Sequence, residues 1–141
     1  MTEEQKAKIA WLNRAFHAEK LVAALEAKKE RDWSLAERLS RGGGCGGTPS
    51  GNGTEDALIR LAQTREETDA MNVELVRIRE EINTAIRTVG DMDMRAILTQ
   101  HYLAYETFEK IAERMHYSER TVRRKHQAAI DKVVLECPVN V

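Results

Sequence analysis

The chain has 141 residues, of which 32% are charged and 5% aromatic, and its formal net charge at pH 7 is −1. This length allows one domain, or a small domain with an extension. The near-zero charge excludes a general electrostatic attraction of the whole surface to nucleic acid. The sequence shows no signal peptide and no run near the ~20 apolar residues of a membrane helix. These features predict a helix-rich cytoplasmic protein with no membrane partner.

The first predicted element is a helix over residues 3–41, which contain neither proline nor glycine. Its apolar residues recur at helical spacing, although the apolar stripe drifts around the helix. Ser34 and Glu37 match a capping box just after a charged run. The pattern therefore leaves open whether the helix continues past Lys29 or breaks near Asp32.

The next segment, residues 42–53, has the sequence GGGCGGTPSGNG. Glycine at this density predicts neither helix nor strand, so we expect a flexible linker. The segment lacks the Gly-Lys-Ser/Thr ending of a phosphate-binding loop, which argues against a nucleotide site. A linker of this length reaches about 20 Å, more than the 8–10 Å between packed helix axes, so the chain can turn back on itself.

A second helix is predicted from Thr54 to Val89, with Gly90 ending it. Along it, apolar residues repeat every seven positions over about four heptads, a pattern typical of a coiled-coil-like surface. The two long helices would form a hairpin domain over residues 1–89. Two helices alone leave much of their apolar stripes in water, so we expect a homodimer; the alternative is a monomeric hairpin packed on its own C-terminal helices. The predicted oligomerisation residues are Leu61, Met71, Leu75, Ile78, Ile82 and Val89.

Residues 91–141 are predicted to form a second domain of three short helices. The first of these helices is expected over 95–103, with Asp91 or Asp93 as a cap on the N-terminal side. The fold class is therefore all-α: a long, coiled-coil-like N-terminal helical hairpin followed by a C-terminal three-helix domain. The tail after residue 135, which contains a proline, is expected to be frayed.

The segment from Thr107 to Val133 predicts a helix, a tight turn and a basic helix. Thr107 and Ser118 stand where the two helices need caps, because their hydroxyls can accept a bond from a first-turn N–H group. Ala112 stands where crossed helices approach most closely, and Tyr117 falls among the apolar positions between them. The predicted core residues of the domain are Ile97, Leu98, Tyr102, Leu103, Phe108, Ile111, Ala112, Met115, Val122, Ala129, Ile130 and Val133.

Charge is concentrated locally: five basic residues stand against one acid between Arg114 and His126, a net of +4, and four of the five lie on the last helix. A locally basic helix on a near-neutral chain favours a specific contact with double-stranded DNA over a general coating. In a helix-turn-helix the second helix enters the major groove, where arginine can bond guanine, glutamine adenine and glutamate cytosine. The predicted base-reading residues are Ser118, Glu119, Arg120, Arg123, Arg124 and Gln127, and the predicted phosphate-contacting residues are Thr107, Tyr117 and Lys125.

The sequence does not predict an enzyme. It contains no nucleophile with an adjacent base and no carboxylate pair placed for acid–base work, so no catalytic residue is assigned. Cys45 and Cys137 lack zinc-ligand spacing and are expected to be free thiols, and no histidine pair has metal-ligand spacing on one helix face. We therefore expect neither a metal nor a cofactor.

Three stretches, TFEKIAERM, HYS and ERTVRRKHQAAIDKV, resemble the C-terminal region 4 of sigma-70-type transcription factors. The longer arrangement, in which a long helix, a Gly-rich loop and a second helix precede RAILTQHYL and these stretches, resembles the ArpU/RinA-type regulators of late phage genes. Lys125 departs from the sigma pattern, which usually has an apolar residue there. Its aliphatic stem can pack on the core while the amine reaches out, or the helix is slightly rotated.

The resemblance implies a transcriptional activator of late packaging and lysis genes, encoded by a phage or prophage and acting in the bacterial cytoplasm. Host RNA polymerase is then a further expected partner besides DNA and a second copy of the chain. Two alternatives stay open. One is a small terminase-like DNA-packaging subunit, which would assemble rings. The other is a protein that binds RNA polymerase or a sigma factor without reading DNA itself.

Overall fold

The computed structural model describes residues 2–42 and 51–135, and this part of the chain is all-α, with no strand. The all-α prediction is therefore confirmed. No helix in the described ranges combines the length and apolarity needed to cross a bilayer. The helical elements in chain order are α1 (Glu3–Leu12), α2 (Arg14–Gly42), α3 (Gly51–Arg87), α4 (Met92–Leu98), a π-helical turn (Thr99–Leu103), α5 (Phe108–Met115) and α6 (Glu119–Lys132).

The chain divides into two compact units. Unit 1 comprises Met1–His17 and Leu75–Val141, and unit 2 comprises Ala18–Glu74. The sequence-based division into 1–89 and 91–141 follows chain order instead, and it stays a prediction.

The first predicted helix is interrupted, but not at the place that the capping-box pattern left open. Helix α1 ends before Asn13, whose φ of −76° and ψ of −4° keep the chain right-handed, and α2 follows at once. A break near Asp32 does not occur, because α2 is continuous from Arg14 to Gly42. The Asp32 carboxylate accepts a hydrogen bond from the Thr64 hydroxyl at 2.7 Å, which gives this mid-helix acid a tertiary partner. Packing of this kind outweighs a local stop signal.

Helix α3 begins inside the predicted linker. Residues 51–53 were expected to be non-helical, but α3 starts at Gly51. The first N–H groups of a helix have no intrahelical acceptor in any case, and adding a residue to an existing helix costs far less than nucleating one. The helix-favouring residues after Gly53 can therefore extend α3 back to Gly51, although its first turn contains two glycines. Residues 43–50, including Cys45, and the tail after Leu135, including Cys137, lie outside the described residues.

Unit 2 contains segments of α2 and α3 that pack on each other. Ala36, Ala57 and Leu61 form its apolar cluster, against which Leu35 and Leu39 are packed. The small alanines allow the two helices to approach closely. Thr64 and Thr68 are also buried, and the Thr68 hydroxyl donates to the Thr64 carbonyl of the same helix at 2.7 Å, so buried hydroxyls supplement the aliphatic residues of unit 2.

The predicted heptad stripe of α3 is largely covered within one chain. Leu61, Leu75, Ile78 and Ile82 are buried, and Met71 is half-buried. Val89 is buried too, but α3 ends at Arg87, two residues before the predicted end of this helix. The burial of these residues accounts for the seven-residue repeat without a second copy of the chain. Self-association through these residues stays a prediction.

The predicted helix over 95–103 is present with corrected bounds. Asp91, one of two proposed caps, accepts a hydrogen bond from the Met94 N–H at 3.1 Å, and α4 therefore starts at Met92. From Thr99 the chain continues as a π-helical turn that carries Tyr102 into the core. No pattern in the residues indicates this change of helical type.

Candidate nucleic-acid interface

Helices α5 and α6 are joined by a three-residue turn whose geometry follows from its residues. The Thr107 hydroxyl accepts from the Lys110 N–H at 3.3 Å and so caps α5. His116 takes the left-handed conformation (φ 60°, ψ 37°) that ends α5, and the Tyr117 N–H donates to the Ala112 carbonyl at 3.0 Å. The Ser118 hydroxyl then caps α6 by accepting from the Thr121 N–H at 3.1 Å. Both predicted caps are confirmed.

The inner faces of the two helices meet over a small aliphatic cluster. Ile111, Ala112 and Val122 are buried there together with Ile97 of α4. Phe108 and Met115 are partly buried and pack against the cluster. Because these side chains fix α6 from behind, its opposite face is presented outward.

Three side chains on that outward face have no partner in the described part of the chain. Arg120, Arg124 and Gln127 are exposed and make no hydrogen bond or ion pair with any residue in 2–42 or 51–135. Their i, i+4, i+7 spacing places them on one face of α6. Two arginines at i and i+4 repel each other and slightly destabilise the helix. This strip of α6 therefore carries positive charge that no contact within the described chain compensates.

At one edge of the strip, Glu119 forms an ion pair with Arg123. The Arg123 guanidinium donates to the Glu119 carboxylate from Nε at 3.2 Å and from Nη2 at 2.8 Å. The same guanidinium lies over the Phe108 ring, with Cζ 4.9 Å from the centroid. Glu119 and Arg123 were both predicted to read bases, but the structure pairs them with each other.

At the other edge, Asp93 in the first turn of α4 contacts Tyr117 and Lys125. The Tyr117 hydroxyl donates to Asp93 Oδ2 at 2.6 Å, and Lys125 Nζ lies 3.8 Å from the same oxygen. Lys125 also lies over the Tyr117 ring, 5.3 Å from its centroid. The hydrogen bond to Asp93 is the first cause that raises the pKa of Tyr117, because the carboxylate favours the protonated phenol. We call Asp93, Tyr117 and Lys125 the Asp93 cluster.

The Asp93 cluster corrects one expectation and explains another. Tyr117 was predicted among the apolar positions between the helices, but it is 37% exposed and its hydroxyl bonds the carboxylate outside the core. Lys125, the departure from the sigma pattern, is half-buried and its amine points to Asp93. A long aliphatic stem with a charged tip can satisfy both surroundings.

The residues predicted to read bases or to contact phosphates thus fall into two classes. Arg120, Arg124 and Gln127 are unpartnered within the described residues, whereas the rest have roles inside the chain. The engaged residues are Thr107 and Ser118 as caps, Glu119 and Arg123 as an ion pair, and Tyr117 and Lys125 on Asp93. Nothing in the spacing alone distinguishes the two classes.

A buried polar cluster behind α6 was not predicted. The His126 Nε2 and the Tyr102 hydroxyl share a hydrogen bond of 2.7 Å, and both residues are buried. Burial lowers the pKa of His126 to about 4 and raises the pKa of Tyr102. The His101 ring stacks on Phe108 at 4.2 Å, and burial lowers the pKa of His101 as well. The sequence did contain an indication that His126 is buried. It lies four residues after Val122 and four residues before Ile130, so it shares their apolar face of the helix.

The N-terminal helix also contacts α6, which sequence patterns did not indicate. Gln5 Nε2 donates to Asp131 Oδ1 at 2.6 Å, and Lys8 Nζ donates to the Asp131 carbonyl at 3.4 Å. Gln5 also completes the capping box of α1 with Thr2. One buried glutamine therefore caps α1 and fixes it to the C-terminal end of α6.

Among the described residues, no group of three or more histidine, cysteine, aspartate or glutamate side chains is arranged to hold a metal ion. The site is thus a surface of charge and hydrogen-bond donors, in which the cluster behind α6 supports the helix and the outward strip is exposed.

Comparison with known proteins identifies one family. A family described as "Protein of unknown function (DUF1492)" matches residues 44–134, well over half of the chain. No curated protein and no solved structure matches. The family description assigns no function, so it supports neither the sigma-70 nor the ArpU/RinA resemblance. The matched range includes all of α3 to α6, and the chain belongs to the DUF1492 family.

Proposed function

We propose that this chain is a sequence-specific DNA-binding protein that reads the major groove with α6. The observation that supports it best is the outward strip of Arg120, Arg124 and Gln127, unpartnered among the described residues, on a helix capped by Ser118 after a tight turn. A DNA duplex supplies the negative charge that would balance the arginines of the strip. Its base edges also supply acceptors to which arginine and glutamine can donate.

The residues have distinct roles in this proposal. Arg120 and Arg124 each donate two bonds to a guanine, and Gln127 bonds an adenine, each pairing discriminating by roughly 1–3 kcal/mol. Arg123 is a weaker candidate for base reading, because it must leave Glu119 and the Phe108 ring to do so. Ser118 acts mainly as the cap that orients the helix.

The biological setting in this proposal rests on the resemblance to sigma region 4 and to the ArpU/RinA-type regulators. By that likeness, the chain activates late phage genes as a homodimer and contacts host RNA polymerase. The family description neither supports nor opposes this setting. The described residues that favour the DNA-binding part are those of α6.

Enrichment of random double-stranded DNA on the purified protein, followed by sequencing, tests the proposal. We expect a recurring motif, and two half-sites if the protein binds as a dimer. Arg120→Ala with Arg124→Ala should abolish enrichment and leave the helical content unchanged. The matched control is Arg38→Ala with Arg60→Ala, which removes two exposed arginines from unit 2 and should keep the motif.

Other outcomes would favour the alternatives. Salt-dependent binding without any motif would mean that only the phosphate backbone is contacted. Absence of DNA binding together with capture of RNA polymerase would replace the proposal with the polymerase-binding alternative. Light scattering on the eluting protein separates a dimer from a ring of eight or more subunits, and a ring would favour the terminase-like alternative.

A further inference from the structure

We propose that Asp93 restrains non-specific DNA binding by holding Lys125 and Tyr117 away from the phosphate backbone. This inference rests on the proposed function and adds a residue outside the helix-turn-helix itself that sets the strength of sequence-independent DNA binding. It differs from the expectation that Tyr117 and Lys125 are simple phosphate contacts.

The geometry of the Asp93 cluster carries the inference. One carboxylate oxygen, Asp93 Oδ2, accepts from the Tyr117 hydroxyl at 2.6 Å and lies 3.8 Å from Lys125 Nζ. Lys125 and Tyr117 also contact each other, because the Lys125 ammonium lies over the Tyr117 ring. Asp91, the neighbouring acid, is engaged separately as the cap of α4. Lys125 and Tyr117, the two side chains that could bind a phosphate at this edge of the site, therefore contact the same carboxylate.

Lys125 lies on α6 and Tyr117 in the turn before it, so the position of both side chains bears on how α6 would contact DNA. Lys125 follows Arg124 by one residue, so it lies about 100° around the helix from the outward strip. Side chains at such an edge reach the backbone on one wall of a groove, whereas those on the strip reach the base edges. Lys125 and Tyr117 would thus add affinity for any sequence, and Asp93 opposes that contribution.

The strength of the restraint is modest, which suits this role. Lys125 and Asp93 are partly exposed, and an ion pair of this kind is weak because water screens it. The short hydrogen bond from Tyr117 is charge-assisted and stronger than a neutral one. A restraint of this size changes affinity several-fold without preventing binding, so it lowers non-specific occupancy while the bonds of the strip to bases persist.

The test compares binding of two duplexes, one of random sequence and one carrying the enriched motif, over a range of salt. Asp93→Asn keeps an acceptor for Tyr117 but removes the charge that holds Lys125. We expect affinity for the random duplex to rise about two- to five-fold. The slope of log K against log salt should steepen by about 0.9, which corresponds to one additional phosphate. The ratio of motif to random affinity should stay close to its wild-type value, because a phosphate contact adds affinity for both duplexes.

Two further variants separate the restraint from general charge repulsion. Glu113→Gln removes one exposed acid from α5 and should change the random-duplex affinity and the slope less than Asp93→Asn does. In the Asp93→Asn background, Lys125→Gln should cancel the gain in slope, whereas in the wild-type chain the same substitution should change the slope little. A gain that survives Lys125→Gln would overturn the inference, as would equal effects of Asp93→Asn and Glu113→Gln.

The wild-type chain distinguishes failure of this inference from failure of the proposed function. If the wild-type chain binds its motif but Asp93→Asn alters neither the salt slope nor the affinity for the random duplex, only the restraint is wrong. If Lys125→Gln in the wild-type chain lowers the slope by a full 0.9, Lys125 is a direct phosphate contact and the restraint is again wrong. If neither duplex binds at low salt, the proposed function fails and the restraint fails with it. Circular dichroism verifies that each variant is folded.

Discussion

In unit 1, helices α4, α5 and α6 enclose aliphatic side chains with no exposed surface, among them Ile97, Ile111 and Val122. In unit 2, two helical segments meet mainly through small side chains and hydroxyls. The residues of unit 2 that are buried in the described part of the chain are Ala18, Val22, Ala36, Ala57, Leu61, Thr64 and Thr68. Unit 1 therefore has a three-dimensional core, whereas unit 2 has a narrow seam.

The difference matters because the two kinds of packing respond differently to change. Apolar burial contributes roughly 25 cal/mol per Å², so large aliphatic residues stabilise unit 1 far more than alanines stabilise unit 2. In unit 2, Trp33, Leu58 and Ile59 remain half-exposed or more. A rigid core suits unit 1 under the proposed function, in which the outward strip of α6 keeps its geometry when it binds DNA.

The largest expected effect is in the core of unit 1. Ile111→Ala should lower the free energy of unfolding by roughly 2–5 kcal/mol, because it leaves a cavity among side chains that cannot collapse freely. The control is Ile59→Ala on the surface of unit 2, where a change within about 0.5 kcal/mol is expected. The two tryptophans allow the measurement, since Trp11 lies in unit 1 and Trp33 in unit 2. Urea titrations of single-tryptophan variants then report each unit separately.

A smaller effect is expected in the seam of unit 2. Leu61→Ala should cost about 2 kcal/mol, the low end of the range for such truncations, because its neighbours Ala36 and Ala57 are small and few contacts are lost. Leu58→Ala, at an exposed position of the same helix, is the control. Hydrogen exchange should show faster opening of α2 and α3 within unit 2 and unchanged protection of α6. Equal loss of protection in α6 would mean that the units unfold together.

The local features of unit 1 could be predicted from the sequence, for reasons that particular residues make clear. Caps such as Thr107 and Ser118 are local, since the hydroxyl and the N–H it bonds lie three residues apart. The helical spacing of Ile111 and Val122 likewise reflects one helix face. These features were predictable because the sequence interval that encodes them is short.

The features that were missed depend on residues distant in sequence. Gln5 bonds Asp131 across 126 positions, and Asp32 bonds Thr64 across 32, so no local pattern indicates either contact. The same holds in the candidate site. Arg123 and Arg124 look equivalent in the sequence, but Phe108 and Glu119 hold only the first of them.

A third prediction concerns pH and the buried ring behind α6. The pKa of His126 is about 4 in the folded chain against 6.5 for an ordinary histidine, because burial disfavours the charged form. As pH falls from about 6.5 towards 4, the unfolded chain takes up a proton that the folded chain resists, so the stability of unit 1 decreases. His101, whose pKa is also lowered, adds to this decrease.

His126→Gln tests this prediction, since the amide can still bond the Tyr102 hydroxyl but cannot titrate. We expect unit 1 of this variant to lose less stability than wild type between pH 7 and pH 5, measured by urea titration at each pH. His17→Gln removes an exposed histidine and should retain the wild-type slope. If His126→Gln had the full wild-type slope as well, the acid sensitivity would come from other groups.

The smallest effect tests whether hydroxyls hold the seam of unit 2 as aliphatic residues hold unit 1. Thr64→Val keeps the shape of the side chain and removes the donor of the 2.7 Å bond to Asp32. We expect a loss of roughly 1–2 kcal/mol in unit 2, because the carboxylate loses a partner at a half-buried position. Thr84→Val is the control, since that exposed hydroxyl bonds only the Glu80 carbonyl of its own helix. Equal costs for the two variants would show that the loss of any helix hydroxyl, and not of the bond across the seam, accounts for the effect. A larger cost at Thr64 would show that a polar contact can fix two helices where alanines leave little apolar surface to bury.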